Sequence, residues 1–355
     1  MMSAHRIAVI AGDGIGPEVV REGLRVLKAA SEQFGFRYEL TEYPHGTEHW
    51  LKTGDIMPDA ELEEVSGHDA VLLGAIGDPR APVGEIERGI IGRLRWDLDL
   101  FVNLRPIKLH DSRFCPLKDT VPEDVDMVVV RENTEDAYVH PASFENQNGP
   151  DEVAEQPMRY TRLGTERIIR YAFEMATSRP RKKLTLVDKA NAVRAQDLYT
   201  RVFEEISGEY PDVETDHAYI DAACMWLVKN PSFFDVVVTT NLFGDILTDL
   251  GAMVQGGMGV AASANLHPGK LGLFEPIHGS FPKASGQNTA NPIATISAIG
   301  MMLSYLGESE AATAVEGAIA SLLQSGRITS LSAGALPTDA LGTLVLEELA
   351  AVTVK

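Results

Sequence analysis

The chain has 355 residues, 45% of them apolar and 23% charged, with a net charge of -20. These values fit one large or two interlocked globular domains and leave no place for a long disordered stretch. So acidic a chain repels nucleic acid and anionic membranes, and an anionic substrate would need its few basic residues gathered locally.

In chain order, residues 6–10 (RIAVI) read as a buried strand, and 18–30 as an amphipathic helix after a Gly/Pro turn. Residues 69–74 (DAVLLG), 126–130 (DMVVV), 184–187 (LTLV) and 234–239 (FDVVVT) are further strands, with helices at 164–177 and 195–207 between them. This alternation predicts an α/β protein with a largely parallel sheet. The last third reads as mainly helical, with segments 292–306, 309–324 and 338–351 expected to pack on the sheet. The apolar run at 7–11 is too short for a signal peptide and no run is long enough to span a membrane, so a cytoplasmic protein is expected. Cys115 and Cys224 lack metal-ligand spacing and suit a reducing compartment.

Polar residues collect just after the strands: Arg131-Glu132-Asn133, Asp188-Lys189-Ala190-Asn191, and Asn241. In open α/β sheets, ligands bind beyond the carboxyl ends of strands, so these groups are candidates for one site. In NLFGDILTDL (241–250), Asp245 and Asp249 are four apart, which puts both carboxylates on one helix face. Half-buried, such a pair repels unless a proton or a hard cation sits between, which suits Mg2+ or Mn2+; the same spacing also fits two solvated carboxylates. Arg95, Arg105 and Arg131 adjoin apolar segments, and their forks suit a di- or tricarboxylate; each also fits an ordinary salt bridge. Lys189 and Tyr138 are proton-transfer candidates. His278-Gly279-Ser280 and 288–291 flank a Gly/Ser-rich loop that can cradle a nucleotide through backbone amides. Residues 12–17 (GDGIGP) are not a GxGxxG fingerprint, because Pro17 holds the sixth position.

Together GDGIGPE (12–18), LRWDLDLFVNLRP (94–106), VVRENTE (129–135), DKAN (188–191), NLFGDILTDL (241–250) and FEPIHGS (274–280) resemble, in order, the β-decarboxylating dehydrogenases of isopropylmalate, isocitrate, homoisocitrate and tartrate/D-malate. HDAVLLGAIGDP (68–79) and ERGII (87–91) are most similar to the isopropylmalate branch; RENTE and SANLHP (263–268) resemble the tartrate/malate or isocitrate branches. The resemblance implies an isopropylmalate dehydrogenase-like fold: two α/β domains around a central sheet, with the active-site cleft between them. A cofactor domain would comprise 1–103 plus 256–355, and a substrate and dimerisation domain 104–255. It implies metal-dependent oxidative decarboxylation of a 3-substituted malate, with hydride transfer to NAD or NADP, in a homodimer with shared sites.

By the same resemblance, Arg95, Arg105 and Arg131 grip the hydroxy acid, with Ile91, Gly92 and Ala192 lining the pocket for its side chain. Asp245 and Asp249 hold Mg2+ or Mn2+ together with the partner's Asp221; Lys189, acting in the partner's site, is the base and Tyr138 the acid. Asn191, Glu275, His278, Gly279, Ser280, Lys283 and Asn291 hold the cofactor.

The chain departs from the pattern in two places. Lys283 stands where NAD-using relatives carry aspartate; NADP-using ones carry lysine followed by tyrosine, here Ala284. Gly92 and Ala192 replace larger residues in the side-chain pocket and Arg194 adds a charge nearby, which predicts a larger or anionic 3-substituent; compensating substitutions would preserve isopropylmalate. Readings of another class are a non-catalytic regulatory subunit, which would have lost the retained Tyr138, Lys189 and aspartates, or a plain ligand-binding module, which gives the nucleotide loop no purpose.

Overall fold

A computed structural model describes residues 4–352. The strands are β1 (His5–Gly12), β2 (Tyr38–Glu42), β3 (Ala70–Ala75), β4 (Val102–Lys108), β5 (Asp126–Glu132), β6 (Ser143–Glu145), β7 (Val153–Glu155), β8 (Lys183–Asp188), β9 (Glu214–Tyr219), β10 (Val236–Thr239), β11 (Ala262–Leu266) and β12 (Gly272–Pro276). They fall into two compact units, 4–100 with 108–122 and 252–352, and 101–107 with 123–251.

In the first unit the strand order is β2-β1-β3-β12-β11. β1 pairs parallel with β2 and β3, β3 parallel with β12, and β12 antiparallel with β11. β3 is buried along its whole length, as expected of a strand covered on both faces. The Gly16–Phe34 helix begins with Pro17 in its first turn and ends at Gly35, whose φ of 78° closes the helix without Cβ strain. Of the three C-terminal helices, Ile293–Tyr305 packs on β11 and β12. Ser309–Gln324 packs on Ile293–Tyr305, and Thr338–Ala351 on the Ser309–Gln324 and Gly16–Phe34 helices. They form an outer helical layer.

In the second unit the order is β4-β5-β10-β8-β9, with β5, β10, β8 and β9 parallel. The Arg162–Ser178 and Asp197–Ser207 helices pack together through Phe173 and Phe203, stacked with centroids 5.3 Å apart. Thr161 caps the first of them by accepting from the Gly164 amide. β6 and β7 form an exposed antiparallel hairpin. Both cysteines are free thiols. Among the described residues no helix is long and apolar enough to cross a membrane.

Candidate active site

Arg131 is the penultimate residue of β5 and lies inside that strand. Its guanidinium is almost fully buried. Nε and Nη2 donate to Asn241 Oδ1 at 3.1 and 2.6 Å, and Nη1 donates to Asp245 Oδ1 at 2.7 Å. Gly244 makes this approach possible, since a Cβ there would lie 2.6 Å from Arg131 Cγ. Arg105, on β4, donates to Thr248 Oγ1 at 2.6 Å and Asn103 Oδ1 at 2.9 Å. Its terminal nitrogens lie 3.6 Å from Asp245 and 3.7 Å from Asp249. The Tyr138 hydroxyl donates to Asp245 Oδ2 at 2.8 Å.

Asp245, Thr248 and Asp249 all come from the Asn241–Val254 helix, which starts directly after β10. Burial pushes the Asp245 carboxyl up, but the charges of Arg131 and Arg105 and the hydrogen bonds from Tyr138 and Arg131 outweigh it and hold the group low. Asp249 ends above the ordinary aspartate range, through burial first and the Asp245 charge second, against the two arginines. Burial, with the bond to Asp245, pushes the Tyr138 phenol up to about 12, so it holds its proton. The pair is therefore an anionic pocket of hard oxygens with one member resisting ionisation, the donor chemistry a hard divalent cation relieves. Among the described residues no three His, Cys, Asp or Glu side chains converge into a metal cage.

Lys189 and Asp221 form their own pair in the second unit, hydrogen-bonded Nζ to Oδ1. Lys189 follows β8 in a turn closed by Ala192 and Val193 amides donating to its carbonyl at 2.9 and 2.8 Å. Asp221 opens the Ile220–Lys229 helix, is 66% exposed, and is held low by the Lys189 hydrogen bond. Asn191 and Ala192 lie exposed on the turn. Arg194, also exposed, donates to Ala190 O at 2.7 Å and Asp197 Oδ1 at 3.0 Å.

In the first unit Arg95 donates to Glu275 Oε1 at 2.6 Å, which also accepts from Asn265 at 2.8 Å. Arg95 Nε is buried and makes no hydrogen bond within the chain. Ile91 and Gly92 close a π-helical turn, Arg88–Gly92, a distortion that often marks functional sites. Gly92 leaves no void: a Cβ there would lie 2.7 Å from the Trp96 ring, which fills the space. The expectation that Gly92 widens this wall is corrected by that packing, because the missing side chain is replaced by indole.

The loop expected to hold the cofactor sits on the start of the Gly16–Phe34 helix. Ser280 O accepts from the Ile15 amide at 2.8 Å, Ser285 donates to Gly14 O at 3.0 Å, and Gly286 N donates to Glu18 Oε1 at 2.5 Å. Gly14, at φ 58°, passes so close that a Cβ would meet Ser280 O at 1.9 Å. Residues 12–17 are thus a docking turn for this loop. His278 is lowered by burial and its Nε2 has no hydrogen-bond partner. Gly279 and Lys283 are exposed. Asn291 accepts from the Ile293 amide at 3.0 Å and donates to Leu331 O at 3.2 Å, so it also caps the following helix.

A family model, isocitrate/isopropylmalate dehydrogenase, matches residues 6–344. The chain belongs to the isocitrate/isopropylmalate dehydrogenase family. It is 50% identical over 328 residues to the 3-isopropylmalate dehydrogenase of Thermobifida fusca (strain YX), covering 91% of this chain and 93% of that one. It is 48% identical over 321 residues to the enzyme of the same name from Frankia casuarinae, covering 90% and 92%. Isocitrate dehydrogenase from Methylococcus capsulatus matches with a TM-score of 0.88 and 36% identity, over 97% of this chain and 99% of that one. A β-decarboxylating dehydrogenase from Thermococcus kodakarensis matches with a TM-score of 0.77 and 34% identity, over 98% and 96%. This member of the family is an NAD(P)-dependent decarboxylating dehydrogenase that acts on a 3-substituted malate with a divalent metal.

The arginine and aspartate cluster in the second unit includes Asn241, already a candidate from its place after a strand, and comes with helpers that sequence reasoning missed: Asn103, Gly244 and Thr248. Thr248 lies three residues after Asp245, a same-face spacing that could have flagged it. Glu132, placed among the candidates beside Arg131 in sequence, is fully buried and is pushed up to about 7 by burial, despite hydrogen bonds from Thr134 and Glu135. A carboxyl raised on folding contributes fully below its ordinary value near 4.3 and loses that contribution as pH rises towards its folded value. Glu132→Gln cannot ionise, so its stability relative to wild type should climb between pH 5 and 7, by at most about 3 kcal/mol. Urea melts at several pH values check this; a pH-independent difference refutes it.

Proposed function

We propose that this dehydrogenase oxidises and decarboxylates 3-isopropylmalate, as a homodimer with active sites shared between protomers. The observation that carries the reading is the cluster of Arg105, Arg131 and Tyr138 around two helix-face carboxylates, Asp245 and Asp249. Guanidiniums beside a carboxylate pair suit a substrate that is both an anion and a chelator. The relatives' names and the apolar, Trp96-filled wall around Gly92 favour an isopropyl group as the 3-substituent.

Arg105 and Arg131, with Arg95, bind the malate carboxylates in this reading. The Lys189 Nζ of one protomer takes the C2 hydroxyl proton in its partner's site. Tyr138 OH, which keeps its proton to high pH, delivers a proton to C3 once carbon dioxide has left. When bound, a divalent cation held by Asp245, Asp249 and the Asp221 of a second copy supplies Lewis acidity at the C2 oxygen, and the nicotinamide supplies the hydride acceptor.

Dimerisation is supported by apolar side chains left in solvent. Met225 and Val228 on the Ile220–Lys229 helix are 71% and 49% exposed, and Ile246 and Met253 on the Asn241–Val254 helix 51% and 52%. Asp221 and Asp249 ride on those same two helices.

Steady-state kinetics with Mn2+ tests the substrate: kcat/KM should be highest for isopropylmalate among isopropylmalate, isocitrate, homoisocitrate, tartrate and D-malate. A clear win for isocitrate or homoisocitrate overturns it. Total inactivity on every acid with both cofactors would favour a regulatory subunit. For the cofactor, the exposed Lys283 lies in the loop that would hold the adenosine. An ammonium there pairs with a 2′-phosphate better than with ribose hydroxyls. Lys283→Asp should lower the ratio of kcat/KM for NADP over NAD by about tenfold or more; an unchanged ratio removes Lys283 from cofactor choice.

A further inference from the structure

Asp136 is fully buried, yet it is a non-glycine residue at φ 75°. Left-handed backbone at a buried aspartate is kept only where the surroundings impose it. Its carboxylate accepts hydrogen bonds from three directions. The Ala137 amide and the Tyr160 hydroxyl donate to Oδ1 at 2.7 and 3.0 Å. The Leu242 amide donates to Oδ2 at 3.0 Å. Leu242 lies in the first turn of the Asn241–Val254 helix, so Asp136 caps that helix from 106 residues away in sequence. Glu135 adds a second tie, since its carbonyl accepts from Asn241 Nδ2 at 3.0 Å.

The chain of bonds continues from the other side of Tyr160. Gln196, fully buried, donates through Nε2 to the Tyr160 hydroxyl at 2.8 Å. Its Oε1 accepts from the Lys189 amide at 2.7 Å. Gln196 donates to Tyr160, and Tyr160 donates to Asp136, so each bond has one consistent sense. Tyr160 is steadied by an edge-on contact with the buried Tyr199 ring, centroids 5.6 Å apart. Strand β10 lies between β5 and β8. The three side chains therefore link segments that follow the two outer strands and reach the helix that follows the middle one.

We propose that Asp136, Tyr160 and Gln196 act as one positioning assembly, fixing the Lys189 turn relative to the start of the helix that bears Asp245 and Asp249. The inference rests on the reading of those residues given above. None of the three touches the reacting groups. They act through the Lys189 backbone and through the first turn of a rigid helix. In a homodimer with shared sites, the same assembly ties the group a protomer lends to its partner to the groups it keeps. Small displacements suffice to matter, since misplacement by about 1 Å can cost on the order of 100-fold in rate.

The test uses the full chain carrying Tyr160→Phe, Gln196→Ala, both together, Asp136→Asn or Asp136→Gly. Each single change at 160 or 196 should lower kcat about tenfold, with KM for the hydroxy acid moving less than about twofold. The double variant should lose no more than the worse single, because one chain is cut only once. Asp136→Asn, which keeps an acceptor oxygen, should retain more activity than Asp136→Gly, although glycine suits the backbone better. Amide exchange should quicken at both Lys189 and Leu242 in Tyr160→Phe. Active wild type with unaltered variants, multiplicative losses in the double variant, or faster exchange at one end only overturns the assembly. Wild type inactive on every acid instead refutes the functional reading, while the exchange measurement still decides whether the linkage exists.

Discussion

Asp245→Asn should lower kcat/KM by about three orders of magnitude while the protein folds and melts nearly as wild type. The side chain is isosteric, and its remaining oxygen can still accept from Arg131, which Asn241 also holds through two bonds. The change removes the carboxylate charge that Arg131, Arg105 and Tyr138 surround. A cation bound between residues 245 and 249 would lose half of the negative charge this chain offers it, and with it much of the stabilisation of charge at the C2 oxygen. The Mn2+ concentration for half-maximal rate should rise together with the loss in kcat. Because Asp249 lies above the ordinary range partly through Asp245, wild-type cation affinity should weaken as pH falls through the raised Asp249 value, and this pH dependence should shift down in the variant. Kinetics with a Mn2+ titration reads both. A variant within about threefold of wild type would remove Asp245 from the chemistry.

Lys189→Met and Asp245→Asn should each be inactive alone, yet recover about a quarter of wild-type activity when their subunits are mixed and reassorted. Within one chain Lys189, in the turn after β8, is engaged by Asp221, which lies near the surface at the start of a helix with exposed apolar side chains. If each protomer lends Lys189 to its partner, a heterodimer of the two variants has one site with both groups intact and one with neither. Random mixing makes half the dimers mixed, and half their sites work. If Lys189 acted in its own chain, every site in the mixture would lack one group and activity would stay near zero. Refolding or subunit exchange followed by assay separates the two outcomes cleanly.

Much of this site was legible in the sequence because its chemistry sits on strand ends and on one helix face. The spacing of Asp245 and Asp249 gives a shared face directly, and the β-branched runs at 126–130, 184–187 and 234–239 give the strands that precede the polar groups. Arg131 proved to be inside its strand, since a residue needs only a neighbouring ladder, not an apolar side chain, to extend one. β11 and β12 in the C-terminal third were not legible: ASANL and GLFEP mix small, polar and proline residues, and their burial comes from neighbouring layers. Gly92 misled because sequence shows the lost methyl groups but not Trp96 turning back into the space. The link through Asp136, Tyr160 and Gln196 joins residues far apart in sequence through hydrogen bonds, which no periodicity records.

The central claim is that the Asn241–Val254 helix presents Asp245 and Asp249 to a divalent cation that also holds the hydroxy acid gripped by Arg105 and Arg131. The most direct measurement is a crystal structure of the protein with Mn2+ and 3-isopropylmalate, with the metal located by anomalous scattering. The account predicts one strong peak within ligand distance of both carboxylates, with the substrate's carboxylate against the two guanidiniums. A peak elsewhere, or a bound hydroxy acid that touches neither arginine, would contradict it.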